Sequence, residues 1–397
     1  MIEAKEFVDR ARARGFVLWA GVPCSFLTSL IDCAIDHPGL RWVASANEGD
    51  AVATAAGAVL GGERAVAMMQ NSGLGNALNP LASLTHTLRI PVLLIVTLRG
   101  DPALHDEPQH ELMGVITERI LEELRVPWEY FPTEAAQIEP ALARACAHMD
   151  EAQRPYAFVM RKASVSAQGA AGALRSLPET RAAARPEGRG QRRSPAERPA
   201  RAQALRRIVL ATPENSSLLI ATTGYTGREL AAIADRPNQL YVVGSMGCAS
   251  SLALGVSLAR ENVRVVVVDG DGAALMRMGN FATLGRYGGD RLVHVVLDNE
   301  VHESTGGQPT VSHAISFAGV AAACGYGLAL EGDELGVLDR LFGAEGVRGP
   351  RFAALKIRAG TDGEPPRPKL TPERVRARFS EHVRRIDGDR APVGSRT

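Results

Sequence analysis

Three short stretches hold side chains suited to gripping a metal and an anion or to moving a proton. VVVVDGDGAAL, Val265–Leu275, sets a Gly-Asp-Gly turn after an apolar β-branched run and before a helical one. In an open α/β sheet, ligands bind beyond the carboxyl ends of the strands, so Asp271 would project into the crevice. Gly270 and Gly272 let the backbone approach a bulky anion, and the following helix N-terminus favours negative charge. Taken alone, Gly-Asp-Gly is also a common tight turn. One helix and one strand later comes Asp298-Asn299-Glu300, which would bring Asn299 to the end of the strand beside that of Asp271. Such hard oxygen donors suit Mg²⁺, which takes ligands at about 2.0–2.1 Å and shares its shell with water and phosphates. In the other half, Asn47-Glu48-Gly49-Asp50 opens a helix of small residues; by itself Glu48 reads as a helix-capping charge.

The elements that must position these residues follow from hydrophobic patterning. Apolar runs at Phe16–Ala20, Arg41–Ala46, Ala65–Gln70 and Pro91–Thr97 alternate with helical patterns at Ser25–Asp36, Asp50–Leu60 and Asn76–Leu88. After residue 205 the same alternation returns, with strands expected at Ser217–Thr222, Leu240–Gly244, Val263–Asp269, Leu292–Asp298 and Phe352–Ile357. Helices are expected between them at Gly227–Ile233, Ser250–Ala259 and Ala273–Arg286. Short continuous apolar runs separated by amphipathic stretches indicate parallel strands buried on both faces. The expected fold class is α/β, with two domains at 1–163 and 201–360, each a parallel sheet flanked by helices. Residues 164–200, rich in Ala, Arg, Pro, Gly and Glu, read as a flexible linker. Residues 361–397 read as a peripheral tail whose helix starts at Thr371-Pro372 and runs through Arg385.

The 45 basic and 44 acidic residues of the 397 leave a net charge of +1, which argues against nucleic acid or a polybasic membrane anchor as partner and for a small molecule. Five scattered cysteines show no CxxC pair and no zinc-ligand spacing, as expected of reduced thiols in a cytoplasmic protein. Met1–Gly15 lacks the apolar core of a secretory signal, and no apolar run approaches the ~20 residues that span a bilayer. A soluble protein is the expectation.

The succession Gly-Asp-Gly, helix, strand, Asn resembles the signature of thiamine diphosphate-dependent enzymes. By that resemblance Asp271, the side chain of Asn299 and the carbonyl of Val301 are magnesium ligands that clamp the cofactor diphosphate, with Gly270, Gly272 and Ala273 beside it. Gly244-Ser245-Met246-Gly247 resembles the segment in which a large apolar residue, here Met246, props the cofactor into a bent shape and the Gly244 carbonyl meets its aminopyrimidine. Read from residue type alone, Met246 is a core methionine. Thr222, Thr223 and Gly224 resemble the segment that touches the diphosphate. Glu48 stands where the family has a carboxylic acid that hydrogen-bonds the pyrimidine and promotes its imino tautomer. The resemblance also implies at least a homodimer with shared active sites.

Within that family the stretches GVPCSFL, ANEGDAVA, MMQNSGLGNALNPL, LHDEPQHELMG, VGSMGCASSLALG and DNEVHESTGGQ resemble the two-domain phosphonopyruvate decarboxylases, with sulfopyruvate decarboxylases as the nearest alternative. The implied activity is thiamine diphosphate- and Mg²⁺-dependent decarboxylation of 3-phosphonopyruvate to phosphonoacetaldehyde and CO₂. A carboligase and a non-catalytic cofactor-binding paralogue are the other readings. Pyruvate decarboxylases carry Asp where Ser25 stands and a tandem His pair absent here. His105, Asp106, His110 and His302 therefore become candidates for proton transfer, with Glu48, His110 and His302 as the expected catalytic set. Ser25, His105, Gln109 and His110 are the expected substrate contacts, Arg99 being a further donor for an anionic substrate.

Overall fold

The computed structural model describes residues 1–166, 185–188, 193–361 and 363–388. The chain divides into two compact units, Met1–Val59 with Glu63–Thr180 and Leu60–Gly62 with Arg181–Thr397. In the first unit the strands are β1 (Phe16–Gly21), β2 (Arg41–Ala44), β3 (Arg64–Gln70), β4 (Leu93–Thr97), β5 (Trp128–Tyr130) and β6 (Tyr156–Met160). They form one parallel sheet in the order β2-β1-β3-β4-β6-β5. The second unit holds β7 (Ser217–Ala221), β8 (Gln239–Tyr241), β9 (Arg264–Gly270), β10 (Leu292–Asp298), the two-residue strands β11 (Val301–His302) and β12 (Gln308–Pro309), β13 (Leu328–Gly332) and β14 (Arg351–Lys356). Its parallel sheet runs β13-β14-β10-β9-β7-β8, while β11 and β12 make a separate antiparallel ribbon. Read from the other edge, this is the strand order of the first sheet. In both units the chain turns back between the first and third strands, and that reversal opens a crevice at their carboxyl ends.

Apolar composition explains the layering. Strands β4, β6, β7 and β10 are buried at every position, as expected where helices cover both faces of a parallel sheet. Phe7, Trp19, Phe131 and Phe158 pack edge-on or tilted in the first core. Phe281, Tyr326 and Phe352 surround His294 in the second.

Several expected elements differ in the structure. Strands β5, β6 and β13 were not anticipated: β5 and β13 are edge strands, and β5 has only three residues. The helix expected over Asn76–Leu88 runs from Leu74–Asn79 through a π turn, Pro80–Thr85, into His86–Leu88; Pro80 has no N–H for the α ladder. The helix expected over Ala273–Arg286 is two helices, Asp271–Met276 and Asn280–Tyr287, because Arg277 leaves helical geometry at φ −127°, ψ 40°.

The linker reading needs correction at its ends. Val165 pairs with Ile2, Glu187 pairs with Leu330, and Arg198 bonds Glu300 at 2.7 Å. Residues 167–184 and 189–192 of that segment lie outside the described residues. Nor is the tail helix, Pro372–Gly388, peripheral: Val375, Phe379, Val383 and Ile386 are buried, and Arg378 bonds Asp235 at 2.6 Å. Its apolar residues at helical spacing form one stripe, which must be covered.

Candidate active site

In the second unit β9 and β10 run in register, Leu297 beside Gly270, so the residues that follow them emerge side by side. Asp271 heads the helix Asp271–Met276 and is buried. Thr310 Oγ1 donates to Asp271 Oδ2 at 2.5 Å. Ser312 Oγ stands 2.8 Å from Asp298 Oδ1 and 3.3 Å from Asp271 Oδ2; with one proton to give, it serves the nearer oxygen. Burial pushes the Asp271 carboxyl above its usual range, with the Thr310 hydroxyl opposing and the charge of Asp298 adding to the rise. Lys356 pairs with Asp298 at 2.6 Å, whereas among the described residues no Lys or Arg pairs with Asp271.

Beyond β10 the chain turns at Glu300, whose φ of +65° is the left-handed conformation. Arg198 and Lys356 hold its carboxylate at 2.7 and 2.9 Å. Asn299 Nδ2 donates to Glu303 Oε2 at 3.1 Å, and its Oδ1 accepts the Val301 N–H at 3.3 Å. Glu303 in turn accepts from Arg201 and from the Gly360 N–H. Val301 stands opposite Pro309 in the ribbon, and a proline has no N–H with which to occupy the Val301 carbonyl. A buried carboxylate without a cationic partner, an amide oxygen and a carbonyl form a hard-donor set, and that set fits a magnesium ion.

The turns around this point are shaped by close approach. A Cβ at Gly272 would lie 2.6 Å from His302 Cε1 and 2.9 Å from Met246 Cε, so glycine leaves the room in which both side chains converge. Next to Met246, Ser245 and Gly247 take positive φ, +49° and +91°. A Cβ at Gly270 would meet nothing within 4 Å. Ala273 is buried in the helix that follows. Thr223 Oγ1 donates to the Val243 carbonyl beside Gly244 at 2.9 Å, and the Thr222 N–H donates to Val268 O at 2.9 Å. Gly224, at φ +89°, opens the helix Tyr225–Ile233.

In the first unit Glu48 begins the helix Glu48–Leu60, whose small residues are buried on every face from Gly49 to Ala58. Asn76 Nδ2 donates to Glu48 Oε2 at 2.7 Å. A second group of polar residues gathers where β1, β3 and β4 end. Cys24 Sγ donates to Gln70 Oε1 at 3.3 Å and lies 3.5 Å from Thr97 Oγ1. Arg99 Nη1 donates to Ser25 Oγ at 3.1 Å, and its Nε donates to Asp106 Oδ2 at 2.7 Å. His110 is buried between Asp106 and Gln70. The structure thus joins Ser25 and His110 through Arg99 and Asp106, but leaves His105 and Gln109 exposed and without a side-chain hydrogen bond among the described residues. Gly73, Asn76, Gln70, Thr310, Ser312 and Glu303 were not singled out from sequence. Gln70, Gly73 and Asn76 lie within MMQNSGLGNALNPL, and Glu303 within DNEVHESTGGQ, but their spacing carries no chemical signal.

Comparison with known proteins agrees with this fold. Residues 4–118 match the family described as thiamine pyrophosphate enzyme, N-terminal TPP binding domain, and residues 223–341 match its C-terminal TPP binding domain. The chain is 42% identical to phosphonopyruvate decarboxylase of Streptomyces viridochromogenes, over 96% of this chain and 95% of the relative. It is 39% identical to phosphonopyruvate decarboxylase of Streptomyces hygroscopicus, over 96% and 94%. Among solved structures, benzoylformate decarboxylase from Polynucleobacter necessarius superposes with a TM-score of 0.68 at 14% identity, covering 90% of this chain and 99% of that one; at that identity the likeness concerns the fold.

Proposed function

The chain belongs to the family of thiamine pyrophosphate-dependent decarboxylases that includes phosphonopyruvate decarboxylase, and from that premise we propose that it converts 3-phosphonopyruvate to phosphonoacetaldehyde and CO₂ in phosphonate biosynthesis. The observation that carries the reading is the buried Asp271 carboxylate beside Asn299 and the turn at Gly272, where Met246 and His302 converge. Asp271, the Asn299 amide oxygen and the Val301 carbonyl would hold Mg²⁺, which would neutralise the charge of the cofactor diphosphate. Thiamine diphosphate, when bound, supplies the electron sink that takes up the electron pair left as CO₂ departs. Thr310 fixes the Asp271 carboxylate and Glu303 fixes the Asn299 amide. Met246 would give the cofactor apolar support. Glu48, oriented by Asn76, would exchange a proton with the pyrimidine ring of the bound cofactor.

A substrate with a phosphonate end needs donors, and the strand ends of the first unit offer Ser25, Arg99 and His110. The protein is at least a homodimer in which Glu48 of one subunit serves the cofactor of another. A reducing compartment such as the cytoplasm suits its five cysteines, none of which is in a disulfide.

The test is kcat/KM for phosphonopyruvate, sulfopyruvate and pyruvate with thiamine diphosphate and Mg²⁺ present. Pyruvate leaves the donors unpaired at about 1–3 kcal/mol each, so two or three of them predict discrimination of about 10²-fold or more. Sulfopyruvate carries one charge fewer and falls between the two. If pyruvate or sulfopyruvate comes out ahead, the phosphonate reading is wrong.

A further inference from the structure

We infer that Asp106 is a positioning residue for this reaction: it holds His110 with the ring proton on Nδ1 and turns Nε2 toward Gln70 at the strand ends of the first unit. The inference rests on the reading that those strand ends receive substrate.

Asp106 collects donors from three directions. Arg99 gives it Nε at 2.7 Å and Nη2 at 2.5 Å, a fork onto both carboxylate oxygens. The N–H groups of Gly100 and Glu107 each add a bond at 2.8 Å. These bonds, that of Arg99 foremost, hold the Asp106 carboxyl far below the usual carboxylate range against the opposing effect of burial. An ionised carboxylate only accepts hydrogen bonds. His110 Nδ1, 3.0 Å from Asp106 Oδ1, must therefore be the donor.

The other side of the ring is compatible with the same tautomer. His110 Nε2 lies 3.4 Å from Gln70 Nε2. In the structure that amide turns Oε1 to the Cys24 thiol at 3.3 Å and Nε2 to Ser72 Oγ at 2.7 Å. An amide N–H faces His110, so Nε2 is the acceptor and the proton sits on Nδ1. Asp106 and Arg99 through it are the charged groups facing the ring. Cys24 stands behind Gln70, and Glu107 and Glu111 on the histidine's own segment are exposed.

Backbone packing leaves this arrangement little slack. Gly100, at φ +75°, presses on His110, where a Cβ would lie 2.0 Å from the His110 carbonyl oxygen. A Cβ at Gly114 would lie 1.6 Å from the Gly100 oxygen. Arg99 is further pinned by Ser25 Oγ at 3.1 Å and by the Phe26 ring, 4.7 Å from its guanidinium. Nε2 is thus the ring atom turned away from Asp106, toward Gln70 and the strand ends.

The experiment is nitrogen NMR of the full-length protein labelled with ¹⁵N-histidine, in alkaline buffer where the ring carries one proton, the His110 signal being assigned by its loss in His110→Gln. The expected spectrum places the proton on Nδ1. In Asp106→Asn an amide N–H₂ replaces an acceptor, so the pure Nδ1–H state is lost and kcat falls by roughly 10²–10⁴-fold, with the kcat–pH profile displaced. Asp106→Glu restores the Nδ1 proton and part of kcat. A wild-type His110 with its proton on Nε2, or an Asp106→Asn enzyme with unchanged kcat and pH profile, overturns the inference. The wild-type tautomer is read without turnover, so failure of the substrate assignment and failure of this inference are separate results.

Discussion

The Glu48 carboxylate fills the space that a side chain at residue 73 would need: a Cβ on Gly73 would lie 2.4 Å from Glu48 Cγ and 2.6 Å from Oε1. The contact joins the start of the helix after β2 to the turn after β3, and Asn76, three residues further on, donates to the same carboxylate. Gly73 is in a right-handed conformation, φ −70°, ψ −14°, so space and not backbone freedom demands the glycine.

Gly73→Ala should therefore displace Glu48 and lower kcat in the same direction as Glu48→Gln, for which roughly 10²–10⁴-fold is expected. Cofactor affinity by calorimetry should be retained in both. Full turnover by Gly73→Ala would mean that Glu48 does not act from this position.

Asp271→Ala removes the anionic ligand and should weaken Mg²⁺ and cofactor binding together, with the fold kept. Thr310→Val keeps the shape but deletes the donor to Asp271 and should weaken Mg²⁺-dependent cofactor binding in the same sense, by less. Calorimetric titration at fixed Mg²⁺ reads both, and an Asp271→Ala protein with wild-type affinity would remove the metal assignment.

Mixing Glu48→Gln subunits with Asp271→Ala subunits should restore part of the activity that each lacks alone, because one mixed site keeps both groups. The check is the rate after co-refolding or co-expression. No recovery in proven mixed oligomers would exclude sharing of active sites.

Acid stability should depend on Asp235, which ties the last helix to the rest of the second unit through Arg378 and also accepts the Tyr241 hydroxyl at 2.9 Å. Burial alone would raise this carboxyl, but Arg378 and Tyr241 outweigh it and the net shift is downward. A depressed acid stabilises the fold fully above its unfolded value near 3.9, and the contribution is lost as pH falls from there through the lower folded value. Denaturant unfolding of Asp235→Asn should show a shallower loss of stability across that acid window than wild type. Parallel curves would count against the pairing.

The sequence by itself determined the two α/β domains, the Gly-Asp-Gly turn after a buried strand, the Asn299 strand end and the Glu48 helix start. Each of these is a local signal, carried by hydrophobic period, glycine placement or a polar residue at the edge of an apolar run. It did not reveal the edge strands β5 and β13 or the interior strand β6, the three residues Trp128–Tyr130 carrying too little periodicity, nor the burial of the last helix, whose partner surface lies far off in the chain. Tertiary structure alone decided that Gly73 makes room for Glu48, that Thr310 and Ser312 reach Asp271 across about forty residues, and that Asp106 binds Arg99 and His110 at once. It also separated His110, buried in that network, from His105 and Gln109, which the same stretch of sequence leaves in solvent. Such contacts depend on which strand ends the sheet order sets side by side, and a distance through space leaves no periodic trace along the chain.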